Sequence, residues 1–208
     1  MNFKPIPNKF EYLNWQEIES IAKEKRSTVI WPFGAVEQHG PHLPLATDSI
    51  FVDDIISEVF KLLPADIPLK KLPTQYIGFS PEHKGFAGTI SLSSNLITSM
   101  IKEVGGQLSE MGFKRLILIN GHGGQISLLN TAARELRSFS PGMAVFPCFL
   151  WSGVNGLSEL LTKTEIEDGL HASLAETSLM LALKPELVGD ERPNEGNKVE
   201  IPEGWSLE

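Results

Sequence analysis

The sequence predicts an α/β protein organised around a buried parallel strand. Arg115-Leu116-Ile117-Leu118-Ile119-Asn120 is apolar on both faces, as a strand between two layers must be. A second β-branched run, Thr28-Val29-Ile30-Trp31-Pro32, and several segments with apolar residues at helical spacing accompany it. Both runs end in glycine-rich loops bearing histidine, and open α/β sheets place their chemistry at the C-terminal ends of strands.

In chain order, residues 11–25 read as a helix capped by Asn14, with Ile18, Ile21 and Ala22 inward. After the strand at 28–32, Thr47 is a candidate cap for a helix carrying Ile50, Phe51, Ile55, Val59, Phe60 and Leu63, which Pro64 stops. Lys70–Tyr76 is a weaker strand. The long loop 78–89 holds Ser80, Glu82 and His83, which line a pocket or stand in a solvated loop. Ser93 or Ser94 opens a helix with Leu96, Met100, Ile101, Val104, Leu108 and Met111 on one side, ended by Gly112.

The strand 115–120 runs into Gly121-His122-Gly123-Gly124-Gln125 and then a helix with Ile126, Leu129, Ala133 and Leu136 inward. This unit is built like a phosphate cradle but has neither GxGxxG spacing nor the lysine of a nucleotide loop, so its glycines are read as room for His122 to approach a site. Met143–Leu150 is a further strand, interrupted by Pro147, in which Cys148 reads as a buried structural thiol. Trp151 follows as a pocket wall or a core residue. Glu165, Glu167 and Asp168 read as a solvated face. Leu174, Leu179 and Leu183 indicate a buried helix before Pro185. Glu176 lies among small and apolar residues there, where a buried carboxylate needs a cation, and a metal is the natural one. His171 belongs to the entry turn and points into the site from another side.

Composition narrows the function. The 208 residues are 41% hydrophobic and 21% charged, those of a globular chain expected to form one domain over residues 1–208. A net charge of -8 argues against nucleic acid or an anionic membrane as partner. The single cysteine excludes an internal disulfide and fits a cytoplasmic location. All five histidines, His39, His42, His83, His122 and His171, lie in stretches rich in Gly, Pro or Glu rather than in apolar periodic segments.

The densest stretch is Trp31–Ser49, which offers Glu37, His39, His42 and Asp48 between Gly34, Gly40, Pro41 and Pro44. If extended, Glu37 and His39 share one face, and a turn at Gly40-Pro41 returns Asp48 to the same point. Two carboxylates and an imidazole suit divalent Zn, Mn or Fe. The alternative is a buried polar loop held by hydrogen bonds.

Four segments together resemble the creatininase (creatinine amidohydrolase) family: GAVEQHGPHLPLATD at 34–48, residues 80–89, NGHGGQ at 120–125 and HASLAETS at 171–178. The resemblance implies a three-layer α/β/α fold with a mostly parallel central sheet, two divalent ions per chain, and a homo-oligomer, often a hexamer. It implies that Glu37, Asp48 and His122 hold one ion and His39, Asp48 and Glu176 the other, with Asp48 bridging. His171 becomes the acid/base or substrate-polarising residue, and Ser80 lies near the substrate. The chain departs from the family at Gly124, where creatinine-hydrolysing members can carry a metal-binding glutamate, and at Gln125 and Ser173, which replace Asn and Gly. Its C-terminus is short by family standards.

The expected activity is hydrolysis of a non-peptide C–N bond, in a cyclic amide or formamide, by a metal-bridged hydroxide, with a small-molecule amide as partner. The rivals are a two-metal phosphoesterase, for which the site stretches supply only Lys84, and a non-catalytic metal-binding homologue.

Overall fold

The computed structural model describes residues 8–64, 66–169 and 171–193. Strands β1 (Thr28–Phe33), β2 (Leu69–Lys71), β3 (Arg115–Asn120) and β4 (Ala144–Phe149) form one sheet in the order β2-β1-β3-β4, with every pairing parallel. The expected mostly parallel sheet is thus found, parallel at every pairing among the described residues.

Alternating side chains send β1 and β3 into two cores. Val29, Trp31, Phe33, Leu116 and Leu118 face α1 (Trp15–Ala22), α3 (Ser94–Met111) and α4 (Ile126–Phe139). Ile30, Ile117 and Ile119 face Val52 and Ile56 of α2 (Thr47–Leu62). Behind α2, Phe51 packs with Met180 of α7 (Leu174–Leu183). Helices thus cover both faces, giving three layers. Two short helices, α5 (Leu157–Leu160) and α6 (Lys163–Asp168), connect β4 to α7. No helix among the described residues is long and apolar enough to cross a membrane.

Local chemistry explains most boundaries. Asn14 caps α1 with a reciprocal bond to Glu17, and Gly112 ends α3 at a φ of 104°. Other expectations need correction. Thr47 is the first residue of α2, not its cap, because its hydroxyl donates to Pro44 O at 2.7 Å. The inward stripe of α3 is Ile97, Ile101, Gly105 and Leu108, leaving Leu96 and Met111 exposed, since Gly105 admits Leu136 of α4. Cys148 is exposed, because β4 is an edge strand with alternate residues turned outward. Leu174 is exposed as well, and α7 buries Glu176, Thr177 and Met180 instead. The C-terminal expectation falls on residues 194–208, and the side chains of Glu167 and Asp168 likewise lie outside the described residues.

Candidate metal centre

The centre lies where β1 and β3 end side by side. Gly34 follows β1 and brings it against the first turn of α2, since a Cβ there would stand 2.6 Å from Ser49 N. Gly121 does the same after β3, its Cβ position 2.6 Å from Asp48 O. Fully buried Gln125 ties these ends together, donating to Gly34 O and Asn120 Oδ1 and accepting from Phe79 N–H. Asn120 in turn clamps His122, accepting its N–H and donating to its carbonyl.

Beyond Gly34 the chain is extended. Glu37 and His39 are buried with Gln38 half-buried between them, as period two requires. Gly40 turns at a φ of 70°, and Glu37 N–H closes the loop on Leu45 O at 2.9 Å. Asp48 thereby returns inside the first turn of α2. It is the pivot: its Oδ1 lies 3.4 Å from His39 Nε2 and its Oδ2 lies 3.2 Å from His122 Nδ1. His122 Nδ1 is also 3.1 Å from Glu37 Oε1. Glu176 enters from the start of α7, where Ser173 and Glu176 form a reciprocal cap, and its carboxylate lies within 4.8 Å of ligand atoms of His39 and His171. The five expected metal donors are thus brought together, with Asp48 between the two histidines.

The hydrogen-bond inventory fits a cation at this point. His39 commits its Nδ1–H to Glu37 O at 3.2 Å, and His122 commits its Nε2–H to Phe79 O at 3.0 Å. Each ring therefore turns a lone pair toward carboxylate oxygens. Both Glu37 oxygens, Asp48 Oδ2 and His39 Nε2 are buried without a hydrogen-bond partner. Lone pairs facing anions in a buried space repel unless a positive charge lies between them. Carboxylate oxygens and imidazole nitrogens are the donors that Zn, Mn and Fe accept.

Without a metal, protons take that place. Burial opposes charge on both histidines, but the adjacent Asp48 carboxylate outweighs it, holding His39 at about 9 and, together with Glu37, His122 at about 10. Burial would raise Asp48, yet His122 and His39 hold it at about 2. Burial lifts Glu176 to about 7, with His39 opposing and Asp48 adding to the rise. The histidine shifts are upward, so their contribution to stability is complete below the unfolded value of about 6.5 and is lost as pH rises through 9 to 10. Glu176, also raised, loses stability from its unfolded value up to about 7. The chelated protein is accordingly expected to melt several degrees lower at pH 9.5 than at pH 6.5, whereas divalent-ion affinity rises over the same interval because these protons must leave. Scanning calorimetry and metal titration at the two pH values check both signs.

His171 stands in the turn before α7, beside Ala172 at a φ of 48°. Its Nε2–H donates to Gln38 O at 2.6 Å, leaving Nδ1 free, 3.9 Å from Glu37 Oε1. Burial, then the neighbouring His39 and His83, lower its pKa to about 4, so it is a neutral base at pH 7. Its ring centroid lies 4.3 Å from that of His39 and 4.3 Å from that of His83. Gln38 organises this stack. Its Oε1 accepts from Gly40 N–H, which orients the amide so that Nε2 donates to His83 Nδ1 at 3.1 Å. The sequence reading missed Gln38; its position between two ligand candidates was the available signal.

Other residues fall elsewhere. Ser80 is fully buried, its Oγ 3.4 Å from His122 Nε2. Trp151 packs edge-on against Phe51, ring centroids 5.9 Å apart, in the apolar cluster with Leu43 and Met180. His42 turns away from the centre and donates to Thr177 Oγ1 at 2.8 Å, fastening the ligand loop to α7.

Residues 11–206 match the family model described as creatininase, creatinine amidohydrolase. The mycofactocin precursor peptide peptidase of Mycobacterium tuberculosis is 33% identical over 84% of this chain, which spans 66% of that protein's length. The creatinine amidohydrolase of Pseudomonas putida is 28% identical over 86% of the chain and 73% of its own length. A solved manganese creatininase superposes with a TM-score of 0.76 at 25% identity, covering 95% of this chain and 83% of the other. With the donor cluster assembled on the same layered fold, these matches show that the chain belongs to the creatininase family.

Proposed function

We propose that this chain is a metal-dependent amidohydrolase that cleaves the C–N bond of a small cyclic amide or formamide. The unpartnered buried donor atoms of Glu37, His39 and Asp48, with His122 against Asp48 and Glu176 against His39, carry the reading. Glu37, Asp48 and His122 would hold one divalent ion, and His39, Asp48 and Glu176 a second. Divalent ions supply a Lewis acid and acidify water near neutral pH. The chain's own residues do the rest. His171, neutral with Nδ1 free, takes a proton from the attacking water and returns it to the departing nitrogen. Gln38 O holds the opposite nitrogen and so keeps Nδ1 aimed inward. Trp151, packed with Phe51, supports the α2–α7 face behind the centre rather than a pocket wall, and buried Ser80 stands beside His122.

A second reading, a peptide bond as substrate, is favoured by the 33% identity to the mycobacterial peptidase. The assay that separates them offers the Zn- or Mn-loaded chain creatinine and other lactams, N-formyl amines, short peptides and a phosphate monoester. Turnover of lactams or formamides, abolished by chelator, restored by metal and weakened by His171→Ala, is the expected result. Peptide turnover alone transfers the assignment to the second reading. Phosphate release would make the protein a phosphoesterase. No turnover of any of them by fully loaded protein would make it a metal-binding homologue without activity.

A further inference from the structure

One carboxylate outside the five donors has a path into the centre. Glu82 stands on the short turn Pro81–His83 with its side chain 41% exposed. Its Oε1 lies 3.1 Å from His122 Nε2, on the side of the ring away from Glu37 and Asp48. The path is open because residue 124 is glycine. A Cβ there would fall on the Glu82 carboxylate and within 2.6 Å of His122 Nε2. Gly124 does not have a positive φ, so space and not backbone conformation requires the glycine. Ligand atoms of Glu37, Glu82 and His122 come within 4.8 Å of one another.

We propose that Glu82 is a positioning residue of the metal centre, its carboxylate reaching through the space at Gly124 to set a negative charge 3.1 Å from His122 Nε2, whose N–H the Phe79 carbonyl accepts. The inference rests on the reading of this cluster as a divalent-ion centre. Phe79 O alone fixes which nitrogen carries the proton, since a backbone carbonyl can only accept. A carboxylate adds what a carbonyl lacks, a full negative charge that makes the ring more electron-rich and Nδ1 a stronger donor. Outer partners of this kind are worth roughly 10–100-fold in metal affinity. Because Glu82 is on the exposed side of the ring, the interaction can be removed without opening a cavity in either core.

The test is metal affinity rather than turnover. Dissociation constants for Zn and for Mn, measured by competition with a chromophoric chelator, are compared for the native chain, Glu82→Gln and Glu82→Asp. Glu82→Gln keeps the shape and an acceptor oxygen but removes the charge, and is expected to bind about 10–100-fold more weakly. The ion count at saturation stays unchanged, and the chelated protein still folds and melts cooperatively. Glu82→Asp is expected to fall between. Affinity within about twofold of native would overturn the proposal, given the size expected of such a partner. A drop in the saturating count would overturn it by making Glu82 a ligand itself. A chelated variant that no longer melts cooperatively would overturn it by making the role structural. Failure of the native chain to bind either ion would remove the metal-centre reading and this inference with it.

Discussion

Asp48→Asn is expected to empty the centre and lower kcat/KM by about a thousandfold or more, roughly 4 kcal/mol of lost transition-state stabilisation. Each oxygen of Asp48 faces the lone pair of a different histidine, His39 on one side and His122 on the other. An amide keeps one acceptor oxygen and turns a donor toward the other ring, so it cannot bridge two cations. In the chelated protein above about pH 10, where both histidines give up their protons, Asp48 and Glu37 are buried carboxylates without a counter-charge. Removing one of them relieves repulsion, so the chelated variant is expected to melt higher than the native chain above about pH 10, where His122 has lost its proton. Elemental analysis, steady-state kinetics and calorimetry on one preparation separate loss of the site from loss of the fold. A variant that keeps its metal and its turnover would remove Asp48 from the centre.

Gly34→Ala is expected to cost about 3 kcal/mol of stability, a fall of about 6–12 °C in melting temperature for a chain this long. The added methyl meets the Ser49 backbone, which cannot rotate away, and Ser49 is held further by its hydroxyl bonds to Ala35 O and Tyr76 O. Relief requires the start of α2 to move off the end of β1, carrying Asp48 away from Glu37, so metal affinity falls together with stability. Gly106→Ala supplies the contrast. Nothing lies within 4 Å of its Cβ position inside α3, and the helix is expected to gain about 0.5–1 kcal/mol. Thermal unfolding of both variants checks the pair, and equal effects would refute the packing argument.

Much of the centre is legible in the sequence because its chemistry is local. Glu37 and His39 are two residues apart on an extended chain, and His122 stands in the loop just after an unmistakable strand. Sequence reasoning fails where two local signals compete. In α7 the leucine spacing points to a buried Leu174, but the Ser173–Glu176 cap turns the helix so that Glu176 and Met180 face inward. Cys148 sits in an apolar run whose outward face no helix covers, and periodicity carries no information about which strand lies at an edge. The contact of Glu82 with His122 across Gly124 is tertiary, so the sequence marks Glu82 only as a candidate pocket residue.

The donors come from the loop after β1, the first turn of α2, the end of β3 and the start of α7, a span from Glu37 to Glu176. The set Glu37, Asp48 and His122 is complete in the chain before α7, whereas the set with Glu176 waits for α7. An ion that needs Glu176 therefore contributes nothing at the folding transition state if α7 docks last. In such a case bound metal slows the unfolding rate and leaves the folding rate nearly unchanged. The lifetime of the native state, more than the ease of reaching it, would then depend on metal supply.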